Sequence, residues 1–176
     1  MLTKQIVAQY TDGRLAENDD ETQRLLDVGL AAARRFCGWP VLLEEDAELE
    51  LDGPGGPLLR LPTLRVVELK EIAEDGTALL LSDLYVSKLG MLRKKSGEWF
   101  SGNFGAITVK LDHGFESAPD FEQAVLSFID RESYAPSGGR ARVVGPFQYD
   151  AESMAAASAF SVQEKYLLTK YRIWKA

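Results

Sequence analysis

Residues 117–134, SAPDFEQAVLSFIDRESY, decide how the rest of the chain is read. Pro119 suits the first turn of a helix, where its missing N–H would be unsatisfied anyway. Phe121, Ala124, Val125, Phe128 and Ile129 then fall at i, i+3, i+4, i+7 and i+8, a single apolar face. Burying all five gives a gross gain of about 5 to 12 kcal/mol, at roughly 1 to 3 kcal/mol per side chain before entropy is subtracted. Such a helix, predicted over 119–134, needs a partner.

The partner is predicted over 19–37. Asn18, Asp19 and Asp20 offer N-caps and favourable charge for the helix dipole. Leu26, Leu30, Ala33 and Cys37 recur beside Leu25, Gly29, Ala32 and Phe36, while Arg24, Asp27, Arg34 and Arg35 take the other face. Gly38 ends the helix in the C′ role, with Pro40 behind it. Thr3–Tyr10 reads as a short helix and TDGR as a turn.

Between these helices, from Ala47 to Phe115, the period becomes alternating. ELEL (48–51) alternates, DGPGGP (52–57) turns, and RVVELKEI (65–72) runs to Asp75-Gly76, a tight-hairpin dipeptide. LYVSKLGMLRK predicts a second hairpin around Leu89-Gly90, and AITVKL (106–111) a strand with Ile107, Val109 and Leu111 on one face. Five or six short strands would form a small sheet or sandwich. Downstream, an alanine-rich run over 154–160 precedes Ser161 and Glu164, a capping-box pair that starts a last helix predicted over 161–174. Leu167, Tyr171 and Trp174 share a stripe with Tyr166, Leu168 and Ile173 nearby; burial in the chain's own core and use as a docking face both remain open. The expected fold is α+β: helical parts at 1–46 and 116–136, a β-rich insertion at 47–115, and an arm plus helix at 137–176.

With 176 residues, 45% hydrophobic and 27% charged, the chain has room for a core without staples. No apolar run approaches the roughly 20 residues that span a bilayer, and MLTKQIVAQYTDGR lacks signal-peptide features, so no membrane partner and a cytoplasmic site of synthesis and assembly are expected. Cys37, the single cysteine, excludes an internal disulfide and a thiolate zinc cluster. A net charge of −7 has the wrong sign for tight DNA binding, yet an acidic wall leaves a passing duplex free to slide.

Candidate chemistry is sparse. DGPGGP lacks the Lys-Ser/Thr pair of a phosphate loop, and its prolines remove amides, so a plain turn is preferred. His113, the sole histidine, lies next to Asp112 and Gly114; a hydrolase built on it is one alternative reading, and a turn-stabilising role the simpler one. Glu44, Glu45, Asp46, Glu48 and Glu50 read as a solvated acidic face rather than a metal or glycosidase site. Arg93, Lys94 and Lys95 form the compact basic cluster, suited to an acidic partner or to a hairpin tip. Trp99, Phe100 and Phe104 among Gly97, Gly102 and Gly105 suggest a loop folded on a sheet edge, with a carbohydrate-binding β-sandwich module as the competing interpretation. No catalytic, cofactor or metal residue is expected.

SGGRARVVGPFQYD (137–150) fits neither a helix nor a strand. Fully extended it spans about 45 Å at roughly 3.3 Å per residue, against a radius of gyration near 16 Å for a compact chain of this size, so it can reach a neighbour. Val143, Val144, Phe147 and Tyr149 would then bury against another copy, with Arg140 and Arg142 pairing to its acidic surface; a loop wrapped on its own subunit stays open.

Four stretches in this order, DDETQRLLDVGLAAARRFCGWPV, LDGPGG with LLRLPTLRV, HGFESAPDFEQAVLSFIDR and GGRARVVGPFQYD, resemble the head-to-tail adaptor (connector) proteins of long-tailed bacteriophages, particularly those infecting actinobacteria. The resemblance implies a structural virion protein of the neck. It would form a ring of usually twelve copies under the portal protein, joined below to stopper or tail-terminator proteins, with double-stranded DNA passing through its lumen without specific binding. It further implies a helical ring body and a C-terminal segment on the portal: by position Tyr166, Leu167, Tyr171, Ile173 and Trp174. Twelve copies at −7 sum to about −84, a non-adhesive assembly, and ring closure requires different patches to meet head to tail.

Overall fold

The computed structural model describes residues 2–134, 143–144, 147–148 and 160–173. The fold is mixed α+β with antiparallel sheets, divided into two compact units: Met1–Cys37 with Ala118–Arg172, and Gly38–Ser117 with Ile173–Ala176. None of the helices in the described residues is long and apolar enough to cross a membrane.

The first unit is helical. Helix α1 (Lys4–Tyr10) is capped by Thr3, whose hydroxyl accepts the Ile6 N–H. Helix α2 (Asp20–Cys37) starts with the Asp19 carboxylate accepting the Glu21 N–H at 3.0 Å. Helix α3 (Pro119–Ser133) buries Phe121, Ala124, Val125, Phe128 and Ile129, the five residues its period singles out, plus Leu126. Against α2 it makes a close approach: a Cβ on Gly29 would lie 3.1 Å from Ile129 Cγ1 and 3.3 Å from Val125 Cγ1. Glycine there lets the two backbones draw together.

Helix α4 (Val162–Thr169) is shorter than the 161–174 expected from the sequence. Its last turn tightens, Tyr171 N–H donating to Leu168 O and Arg172 N–H to Thr169 O. Tyr171 then packs edge-on against Phe121 with centroids 6.1 Å apart, a tertiary contact that ends the helix where local propensity alone would continue it.

The second unit is a two-sheet β structure. Strands β1 (Glu44–Leu51), β2 (Leu59–Arg60), β3 (Val66–Glu74), β4 (Thr77–Ala78), β5 (Leu84–Val86), β6 (Met91–Lys94) and β7 (Ile107–His113) form one sheet in the order β1-β7-β3-β4 and another in the order β2-β6-β5. Leu69, Ile72, Ile107, Val109 and Leu111 from the first sheet share a core with Leu59, Leu84 and Leu92 from the second. The Asp75-Gly76 turn joins β3 to β4 with both residues left-handed (φ 47° and 76°), a type I′ pattern that asparagine, aspartate and glycine tolerate. Gly114, at φ 110°, follows β7 where a Cβ would meet Leu42 O at 2.4 Å.

Two expectations shift here. The β-rich stretch begins at Glu44 rather than Ala47, because Asp46 adopts φ 53° in a bulge and lets the chain pair with β7 on both sides of it. Within 137–150, read as neither helix nor strand, β8 (Val143–Val144) and β9 (Phe147–Gln148) pair antiparallel, Val143 opposite Gln148 and Val144 opposite Phe147.

Candidate assembly surfaces

The C-terminal segment is fixed to the helical unit by one buried face. Phe160, 6% exposed, lies 4.9 Å from the Phe128 ring and 6.3 Å from that of Phe36. Ser161 and Glu164 form the capping box: the Ser161 N–H donates to Glu164 Oε2 at 2.7 Å, and the Glu164 N–H to Ser161 Oγ at 3.2 Å. Arg131 Nη2 donates to the same Glu164 Oε2 at 2.9 Å, so this buried carboxylate ties α4 to α3. Lys170 pairs with Asp120. The Cys37 Sγ–H donates to Leu168 O at 3.8 Å, and burial pushes that thiol's pKa up to about 12, an unreactive form.

Of the residues placed on the portal by resemblance, Tyr166 is 81% exposed, Leu167 and Ile173 are half-buried, and Tyr171 is buried. Val162, 84% exposed, lies one turn from Tyr166 on the same side of α4. Trp174 lies outside the described residues, as do Arg140, Arg142 and Tyr149 of the arm; for Val143, Val144 and Phe147 the backbone pairing above is what the structure describes. The sequence did not single out Phe160 and Arg131, which hold the segment down; the aromatic just before a capping box was the available signal.

The two sheets of the β unit turn differently charged faces outward. On the first sheet, Asp46, Glu48, Glu50, Glu68, Glu71 and Asp112 share the outer face with Lys70 and Lys110. Lys70 Nζ sits 2.6 Å from Asp112 and 3.0 Å from Asp46, holding the Asp112 carboxyl below its ordinary pKa while its own is raised. Lys110 lies 3.7 Å from Asp46. Ala73, Thr108 and Ala78 make a low neutral strip across this acidic face. On the second sheet, Leu84 and Leu92 point inward, leaving Arg60, Met91, Arg93, Tyr85 and Lys95 outside. The sequence groups Arg93, Lys94 and Lys95, but strand alternation separates them. Lys94 turns inward to Glu74 (2.6 Å), while Arg93 and Lys95 flank the Tyr85 ring at 6.0 and 5.5 Å.

The sites for the two alternative readings come apart. His113 is 1% exposed, and neither ring nitrogen has a hydrogen-bond partner among the described residues; Glu44 lies 3.8 Å away. Burial pushes its pKa below the ordinary range against the pull of Glu44 and Asp112, so it sits neutral beside Trp39 in the core. Phe100 is 2% exposed beneath the Lys94 ammonium, whereas Trp99 is 67% exposed, so the pair offers no shared stacking platform. Among the described residues no group of three or more His, Cys, Asp or Glu side chains could hold a metal ion.

No protein-family profile matches the chain, and no curated protein does. Solved structures do resemble it end to end. A chain in the neck of an empty GTA particle, computed with C6 symmetry, superposes with a TM-score of 0.62 at 14% identity, over 97% of this chain and 90% of that one. A chain in the neck of the native GTA particle, computed with C12 symmetry, gives 0.62 at 14% identity over 97% and 89%. One in the virion of the native gene transfer agent gives 0.59 at 16% identity over 97% and 90%. At these identities the likeness defines a shared fold.

Proposed function

We propose that this chain is a structural neck protein of a phage-like particle, an adaptor whose copies form a ring, twelve in number, between portal and stopper around the DNA conduit. The observation that carries the reading is the match of the whole fold, both units included, to chains that build a neck, one of them solved with C12 symmetry. The resemblance of four sequence stretches to phage adaptors supports it independently. The role asks no chemistry of the side chains, in keeping with a neutral, buried His113 and an inert Cys37.

In this reading Arg140, Arg142, Val143, Val144, Phe147 and Tyr149 hold the adjoining copy. Tyr166, with Leu167 and the terminal Ile173-Trp174, meets the portal, while the buried Tyr171 keeps that segment in place. Duplex DNA passes without specific contacts, repelled by a net-negative assembly. Deleting residues 137–150 tests the arm: ring formation on purified portal should be lost while far-UV circular dichroism stays helical and β-structured. Unimpaired assembly refutes the arm's role.

A further inference from the structure

The two outer faces of the β unit are complementary to each other. Six carboxylates against two ammoniums leave the first sheet's face at about −4. Arg60, Arg93 and Lys95 on the second sheet's face form no ion pair among the described residues; the Lys95 ammonium donates to Ser82 O, a neutral carbonyl, and its backbone N–H to Asp83 O. We propose that these faces bind each other between neighbouring copies, the basic face of one β unit seating on the acidic face of the next. This rests on the ring reading above and adds a contact separate from the 137–150 arm.

Three features favour a second copy as the occupant. Each face presents charge that its own subunit leaves uncompensated, Glu50, Glu68 and Glu71 having no cation within ion-pair distance among the described residues. The faces belong to different sheets that share one core and are therefore distinct patches, as a head-to-tail contact requires; a twofold dimer through either face would set like charges together. Tyr85, 58% exposed between Arg93 and Lys95, supplies an aromatic anchor, and the Ala73-Thr108-Ala78 strip a low place to receive it.

The test uses two full-length variants, R60E/R93E/K95E and E50K/E68K/E71K, all at exposed positions. Each alone should assemble roughly a hundredfold more weakly than wild type on purified portal, because every β-unit contact then sets like charges together. An equimolar mixture should recover rings, since alternating copies restore opposite charge at both kinds of contact; native mass spectrometry reads the alternation. Single variants that assemble as well as wild type, or a mixture that stays dispersed, overturn the pairing. So does a basic-face variant that assembles normally but loses adsorption to duplex DNA, which gives the face to phosphates. A wild-type chain that never rings on the portal overturns the ring itself, whereas wild-type rings with unimpaired variants overturn the pairing alone.

Discussion

Replacing Phe160 with alanine should release the C-terminal segment. The ring is 94% buried, wedged between Phe128 and Phe36 just ahead of the α4 capping box. Phenylalanine-to-alanine changes in cores cost about 3 to 5 kcal/mol, with about 0.5 to 1.5 kcal/mol of that from aromatic geometry. Helix α4 has eight residues and can settle toward the gap, so the lower end, about 3 kcal/mol, is expected. With a urea m-value of about 1 to 3 kcal/mol/M, the helical transition followed at 222 nm should move down by roughly 1 to 3 M. Tyr166→Ala, at an 81% exposed position on the same helix, should change stability by no more than about 0.5 kcal/mol. A loss under about 1 kcal/mol for Phe160→Ala, or equal losses for the two variants, would refute the packing argument.

Gly29→Val should destabilise by about 1 to 3 kcal/mol, measured by chemical denaturation, because the added methyls enter the contact with Ile129 and Val125. His113 has a folded-state pKa below its unfolded value, so the unfolded chain binds the extra proton and stability falls as pH drops through about 6.5. The slope is at most about 1.4 kcal/mol per pH unit, and His113→Leu should remove it from melts between pH 7 and 5; an unchanged slope rejects the burial argument. Cys37 should resist a thiol reagent at pH 8 in the native protein and react at once in denaturant; rapid native labelling would contradict its fully buried position.

Helical elements and tight turns follow from local pattern. The α3 face is recovered residue for residue because five apolar positions repeat at one period and bury together, and Asp75-Gly76 is readable because few residues accept its left-handed backbone. Strand β2 escaped because two residues carry no period, and the β1 start because acidic residues are poor strand formers that only the bulge at Asp46 accommodates. Trp99 and Phe100 look alike in sequence, yet an irregular loop turns one out and buries the other. The two charged faces depend on which strands pair: Arg60 joins Arg93 and Lys95 only through the β2-β6 ladder, a non-local fact. Tyr171 is drawn inward by Phe121, 50 positions earlier in the chain.

The central claim is that copies of this chain close into a ring on a portal. Mass measurement of purified portal before and after incubation with excess protein tests it most directly. The account predicts a discrete gain of about 234 kDa, twelve times 19.5 kDa, with no partial occupancies at saturation. An unchanged portal mass, or a gain corresponding to scattered single chains, would contradict it.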